Sequence, residues 1–126
     1  MAKILCVDDD PGVISQKRII LEQAGYEVTT CTSAEDAIRE IERVVFDGVV
    51  TDWRLGPDRG RAIVEAAKAR LTVPVVVVSG YVAEAFQAAE PLADIYLEKP
   101  ADPRELVQIL RTLLQAKVLR NHNLPS

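Results

Sequence analysis

Short apolar, β-branched runs alternate with helical patterns along the whole chain, and this alternation restricts the fold more than any other feature. The runs cover residues 4–7, 27–31, 48–51, 73–78 and 95–97. A first helical stretch opens at Asp10-Pro11, a capping residue followed by proline at the first helical position. Its stripe of Val13, Ile14, Ile20, Leu21 and Ala24 is interrupted by Lys17, and Gly25 supplies a left-handed stop. A second opens with Ser33-Ala34-Glu35-Asp36, which has capping-box character, and places Ala34, Ala37, Ile38, Ile41 and Val45 on one face. The spacing predicts further helices over 59–70, more weakly over 83–89, and from Asp102-Pro103 onward, where Leu106, Ile109, Leu110, Leu113, Leu114 and Val118 form a broad apolar face.

A strand–helix unit repeated five times implies a parallel sheet with helices on both faces. The runs 4–7, 48–50 and 73–78 are continuously apolar, as strands covered on both sides must be. The expected class is therefore α/β, a three-layer doubly wound (βα)5 domain. At 126 residues the chain has room for one such domain, which needs neither disulfide nor metal to bury a core. We expect it to span 1–120, with 121–126 as a frayed polar tail.

Composition narrows the function classes. A formal net charge of -4 gives no general attraction for nucleic acid or anionic membranes. No apolar run approaches the ~20 residues that a membrane-spanning helix needs. The start, Met1-Ala2-Lys3, leads directly into the first run without a secretory signal, so the expected compartment is the cytoplasm. Cys6 reads as a small buried hydrophobe. A bond to Cys31 is geometrically conceivable if their strands are neighbours, but a reducing compartment argues against it. With two cysteines and the single His122, a zinc site has almost no ligands to draw on.

In open α/β sheets ligands bind beyond the carboxyl ends of the strands. There the first run delivers Asp8, Asp9 and Asp10, the third Asp52, the fourth Ser79-Gly80, and the fifth Glu98-Lys99-Pro100. Crowded carboxylates repel unless a cation joins them, and hard oxygen donors suit Mg2+ or Mn2+. A lysine and a hydroxyl then suit an anion on the far side of that ion, and an aspartate facing both is a candidate nucleophile toward phosphorus. Asp10 reads better as a helix cap than as a ligand.

These residues resemble a family. Ile4-Leu5-Cys6-Val7-Asp8-Asp9-Asp10, Val49-Val50-Thr51-Asp52, Val76-Val77-Val78-Ser79-Gly80 and Tyr96-Leu97-Glu98-Lys99-Pro100 match, in order, the strand-end pattern of the receiver domain of two-component response regulators, over residues 2–120. The resemblance implies the flavodoxin-like strand order 2-1-3-4-5. It also implies that Asp52 accepts a phosphoryl group with Mg2+ bound by Asp9, by Asp52, by the backbone carbonyl of Arg54 and, through water, by Asp8. Lys99 would pair with the Asp52 carboxylate and then with the phosphoryl oxygens. Ser79 would turn toward the phosphoryl group, and Tyr96 would follow that movement, although an aromatic residue in a last strand also serves as packing.

The implied donor is a histidine kinase or a histidine phosphotransfer protein. The implied output is a protein partner that reads the surface around 83–89, the last strand and the last helix. Nothing in the resemblance makes the chain an enzyme beyond slow self-dephosphorylation. A homodimer through the last helix is an option that no specific residue supports. The alternative is a receiver domain belonging to a larger regulator or hybrid histidine kinase. A hydrolase with an aspartyl phosphate intermediate is disfavoured, because Arg54 stands where such enzymes carry a second aspartate. A flavin site is disfavoured by three acids where a phosphate loop would be. Two departures from the family pattern stand out. Gly56-Pro57 shifts a proline by one position, and Arg54 and Tyr81 occupy positions that set the phosphoryl lifetime.

Overall fold

The computed structural model describes residues 1–52, 59–70, 73–79, 93–98 and 102–123, with the backbone alone at 59, 70, 79, 98 and 117–123. The elements run β1 (Lys3–Val7), α1 (Pro11–Gln23), β2 (Glu27–Cys31), α2 (Ala34–Arg43), β3 (Gly48–Asp52), α3 (Arg59–Arg70), β4 (Val75–Ser79), β5 (Ile95–Glu98) and α4 (Pro103–Asn123). The five strands form one sheet in the order β2-β1-β3-β4-β5, and each pairing is parallel. Both features agree with the expected doubly wound fold. The expected helix over 83–89 lies outside the described residues.

Alternation along the strands sorts the side chains into two cores. Leu5, Val7, Val49, Val75 and Val77 face one side and pack with Ala37 and Ile41 of α2 and with Ile63, Val64 and Ala67 of α3. Ile4, Cys6, Val50, Val76, Val78 and Leu97 face the other and pack with Ile14 and Leu21 of α1 and Leu106 and Leu110 of α4. Each fully buried aliphatic side chain contributes roughly 1.5–3 kcal/mol. With both faces covered, the central strands β1, β3 and β4 are largely aliphatic along their buried lengths and leave charged groups to the strand ends.

Local chemistry sets the element boundaries. Asp10 caps α1, its carboxylate accepting from the backbone N–H of Gly12 (2.9 Å) and Val13 (3.3 Å). Ser33 caps α2 by accepting from Asp36 N (3.2 Å). Caps of this kind are worth about 1 kcal/mol each. After α1, Gly25 adopts φ 97°, a left-handed conformation that a side chain resists. The helical spacing that continues to Val45 misleads, however. α2 ends at Arg43, Val44 is extended, and Val45 is 74% exposed while Phe46 is fully buried in its place. At the other end of the chain the α4 backbone reaches Asn123, three residues beyond 120.

Cys6 and Cys31 are both free and buried. β1 and β2 are neighbours, but Cys6 stands opposite Thr30 and Cys31 opposite Val7. The two thiols therefore lie in different cores on opposite faces of the sheet, which no disulfide can bridge.

Two predictions follow from these packing features. Gly25→Ala should lower unfolding stability by about 1 kcal/mol in urea titrations, because alanine tolerates the left-handed region poorly. Burial pushes both thiols from their ordinary 9.0 up to about 11. The unfolded chain then loses these protons first, so their contribution to stability is complete below pH 9 and is lost as the pH rises toward 11. A Cys6→Ala/Cys31→Ala variant should show a flatter stability profile over that window, and an unchanged slope would contradict this.

Candidate functional site

In a parallel sheet the carboxyl ends of all strands meet at one edge. The register places Val7 of β1 beside Thr51 of β3, so the next residues, Asp8 and Asp52, come side by side. Asp8 N still donates to Cys31 O (3.2 Å), which carries the β1–β2 ladder one residue past the strand. By strand alternation Asp8 is in phase with Cys6, and Asp52 with Val50. Both carboxylates therefore point toward the layer that holds α1. Asp52 is 5% exposed and Asp8 1%, whereas Asp9 stands exposed at the rim. One carboxylate oxygen from each of Asp8, Asp9 and Asp52 lies within 4.8 Å of the other two.

The three consecutive aspartates thus divide their labour. Asp10 is committed to capping α1. Asp9 meets solvent. Asp8 is held from two sides: its Oδ1 accepts from Asp10 N (2.9 Å) and its Oδ2 from Lys17 Nζ (3.2 Å). Beneath the site the buried Thr51 hydroxyl donates to the Asp52 carbonyl (2.9 Å), which occupies a backbone acceptor where β3 ends.

Carboxylates this close, two of them buried, repel strongly in a low-dielectric surrounding. A cation among them converts that cost into attraction. The donor set is entirely oxygen, with an exposed member where water can complete the coordination, and this fits Mg2+ better than a softer metal.

The remaining sequence candidates fall as follows. Ser79 ends β4 and pairs with Glu98 of β5, and Asp52 pairs with Val78, so three strands terminate within one residue of each other. Lys99, Arg54, Tyr81 and the shifted Gly56-Pro57 lie outside the described residues. Tyr96 is half-buried and packs against the core shared with α2 and α3, the layer opposite the carboxylates. The residue that sequence reasoning missed is Lys17. It registered only as a fault in an apolar stripe, yet its ammonium enters the acidic cluster.

The family model described as "Response regulator receiver domain" matches residues 4–111. This chain belongs to the response regulator receiver domain family. The receiver is 38% identical over 109 residues to the alginate biosynthesis transcriptional regulatory protein AlgB of Pseudomonas putida, a match that covers 82% of this chain and 24% of the relative. The chain thus spans about a quarter of that relative's length. Among solved structures, the receiver domain protein of Methanospirillum hungatei superposes with a TM-score of 0.85 at 29% identity, covering 95% of this chain and 98% of that one. The receiver domain of a Pseudomonas aeruginosa sensor histidine kinase, with a magnesium ion coordinated in its active site cleft, superposes at 0.80 with 25% identity and covers 90% of this chain and 98% of that one. The expectation from net charge that nucleic acid plays no part finds no support in a relative named as a transcriptional regulator. Among the described residues no helix of the receiver is long and apolar enough to cross a membrane.

If the cluster holds Mg2+, saturating the ion at roughly 100 times its Kd should raise unfolding stability by about 2.7 kcal/mol. Thermal melts with and without chelator should show the shift in wild type and lose most of it in Asp9→Asn. An identical shift in Asp9→Asn would place the ion elsewhere.

Proposed function

We propose that this receiver domain accepts a phosphoryl group on Asp52 from a phosphohistidine donor, with Mg2+ held by Asp9 and Asp52, by Asp8 through water, and by the Arg54 carbonyl. The observation that carries this reading is the convergence of the Asp8, Asp9 and Asp52 carboxylates at the carboxyl edge of the sheet. A carboxylate oxygen of Asp52 attacks phosphorus, the P–N bond to the donor imidazole breaks, and the imidazole nitrogen keeps the electron pair. When bound, Mg2+ would offset the negative charge gathered as the phosphoryl group arrives. Burial of Asp52 limits competing water, and its fixed place on β3 aligns it for in-line attack.

Ser79 and Lys99 belong to this reading as the hydroxyl and ammonium that receive the phosphoryl oxygens. Ser79 closes β4, and Lys99 is the residue after Glu98, the β4 neighbour that ends β5. Each oriented donor of this kind is typically worth a few kcal/mol. Tyr96 is assigned to relay the change to a partner surface. The domain is read as residues 1–120, acting in the cytoplasm as a stoichiometric acceptor, with Mn2+ able to replace Mg2+ and with Arg54 and Tyr81 adjusting how long the phosphoryl group persists. A receiver acting within a longer regulator is a second reading, favoured by the AlgB relative, of which this chain spans 24%.

Incubation with a small acyl phosphate and Mg2+, followed by intact-mass measurement, should show a single added phosphoryl group. The addition should vanish in Asp52→Asn and in the presence of chelator. Undiminished labelling of Asp52→Asn would overturn the assignment.

A further inference from the structure

Lys17 sits on the face of α1 that turns toward the sheet, between the partly buried Val13 and the buried Leu21. An apolar residue would satisfy that position. Instead its side chain is 14% exposed, and its ammonium lies 3.2 Å from Oδ2 of Asp8, itself 1% exposed. Two features separate this pair from an ordinary surface salt bridge. Both partners are withdrawn from water, so salt screens them little. The acceptor is also a member of the three-carboxylate cluster, not an isolated acid.

We propose that Lys17 is a resident counter-ion of the acidic cluster: it holds the three carboxylates together in the absence of a divalent cation and, by the same charge, weakens the binding of that cation. This inference rests on the reading of the cluster as a Mg2+ site. Lys17 brings one positive charge to a cluster of three formal negative charges before any metal arrives. An ion held by the cluster would share the Asp8 carboxylate with Nζ, which lies 3.2 Å from Asp8 Oδ2. Two cations on one buried carboxylate repel with little screening. Lys17 therefore makes the metal-free site tolerable and the metal-bound site less favourable. The consequence is a receiver whose occupancy, and hence readiness to accept phosphoryl groups, follows the available Mg2+ concentration instead of saturating far below it.

The test compares wild type with Lys17→Met, which keeps length and apolar bulk without charge, and Lys17→Arg, which keeps charge. Mg2+ binding is read by calorimetry and by fluorescence of Trp53, the only tryptophan and the neighbour of Asp52. Removal of one positive charge beside a divalent site should tighten Mg2+ binding roughly tenfold. Lys17→Arg should stay close to wild type. In chelator Lys17→Met should melt at a lower temperature than wild type, and saturating Mg2+ should restore most of the difference. Lys17→Gln retains a donor for Asp8 but no charge. It should show the same tightening, and serves if Lys17→Met does not fold without metal.

Unchanged or weaker Mg2+ affinity in the neutral variants would overturn the proposal. So would a stability loss of equal size with and without Mg2+, since that marks a purely structural lysine. Asp9→Asn separates the underlying reading. Its loss of Mg2+ binding supports the cluster as the site whatever Lys17 does. Absence of Mg2+ binding in folded wild type removes both.

Discussion

The constraint on which this structure depends is the burial of a parallel sheet on both faces. Its central strands carry almost nothing but aliphatic side chains between the α1/α4 layer and the α2/α3 layer. A charge within such a strand would be desolvated at a cost of several kcal/mol. Polar chemistry can therefore appear only where a strand stops, and parallel pairing makes all strands stop at the same edge. The gathering of Asp8, Asp9 and Asp52 is a consequence of that geometry. A chain whose five strands all run parallel has little choice about where its site will be.

Among the described residues, the buried acids Asp8 and Asp52 both lie at this edge. Asp8 and Asp52 are buried near one another, and the chain answers with local donors. The Asp10 N–H and the Lys17 ammonium take the two oxygens of Asp8, and Asp10 turns its own carboxylate away to cap α1. Similar anchoring recurs at the opposite edge. Asp47 and Lys3 exchange bonds there, Asp47 N to Lys3 O (2.7 Å) and Lys3 N to Asp47 Oδ2 (2.8 Å). Asp94 accepts from both Lys68 Nζ (2.6 Å) and Val75 N (2.8 Å), which fastens α3 and the start of β4 to the entry of β5. Asp47 and Asp94 thus secure strand ends away from the site, while Asp9 stands exposed at its rim.

Much of this was legible in the sequence because its causes are local. β-branched runs, Asp10 before Pro11, Ser33 before Asp36 and Gly25 after a helix each act within a few residues, and each produced the expected element. Strand-end chemistry was legible because parallel topology converts chain position into spatial position. What escaped depends on tertiary contact. The periodicity that included Val45 could not reveal that an extended Val44 would swing Phe46 inward. Lys17 read as a defect in amphipathicity, since only the packing of α1 over β1 brings its ammonium to Asp8.

The placement of the two cysteines has a use unconnected with their chemistry in the cell. Cys6 belongs to the layer under α1 and α4, and Cys31 to the layer under α2 and α3. Cys6 is fully buried and Cys31 keeps 7% exposure beside an open pocket, so a thiol reagent reaches each much faster when its own layer opens. The protein therefore carries one native reporter for each half of its core. Single-cysteine versions would distinguish a breathing motion that lifts the helices beside the carboxylates from one that lifts the helices behind Tyr96.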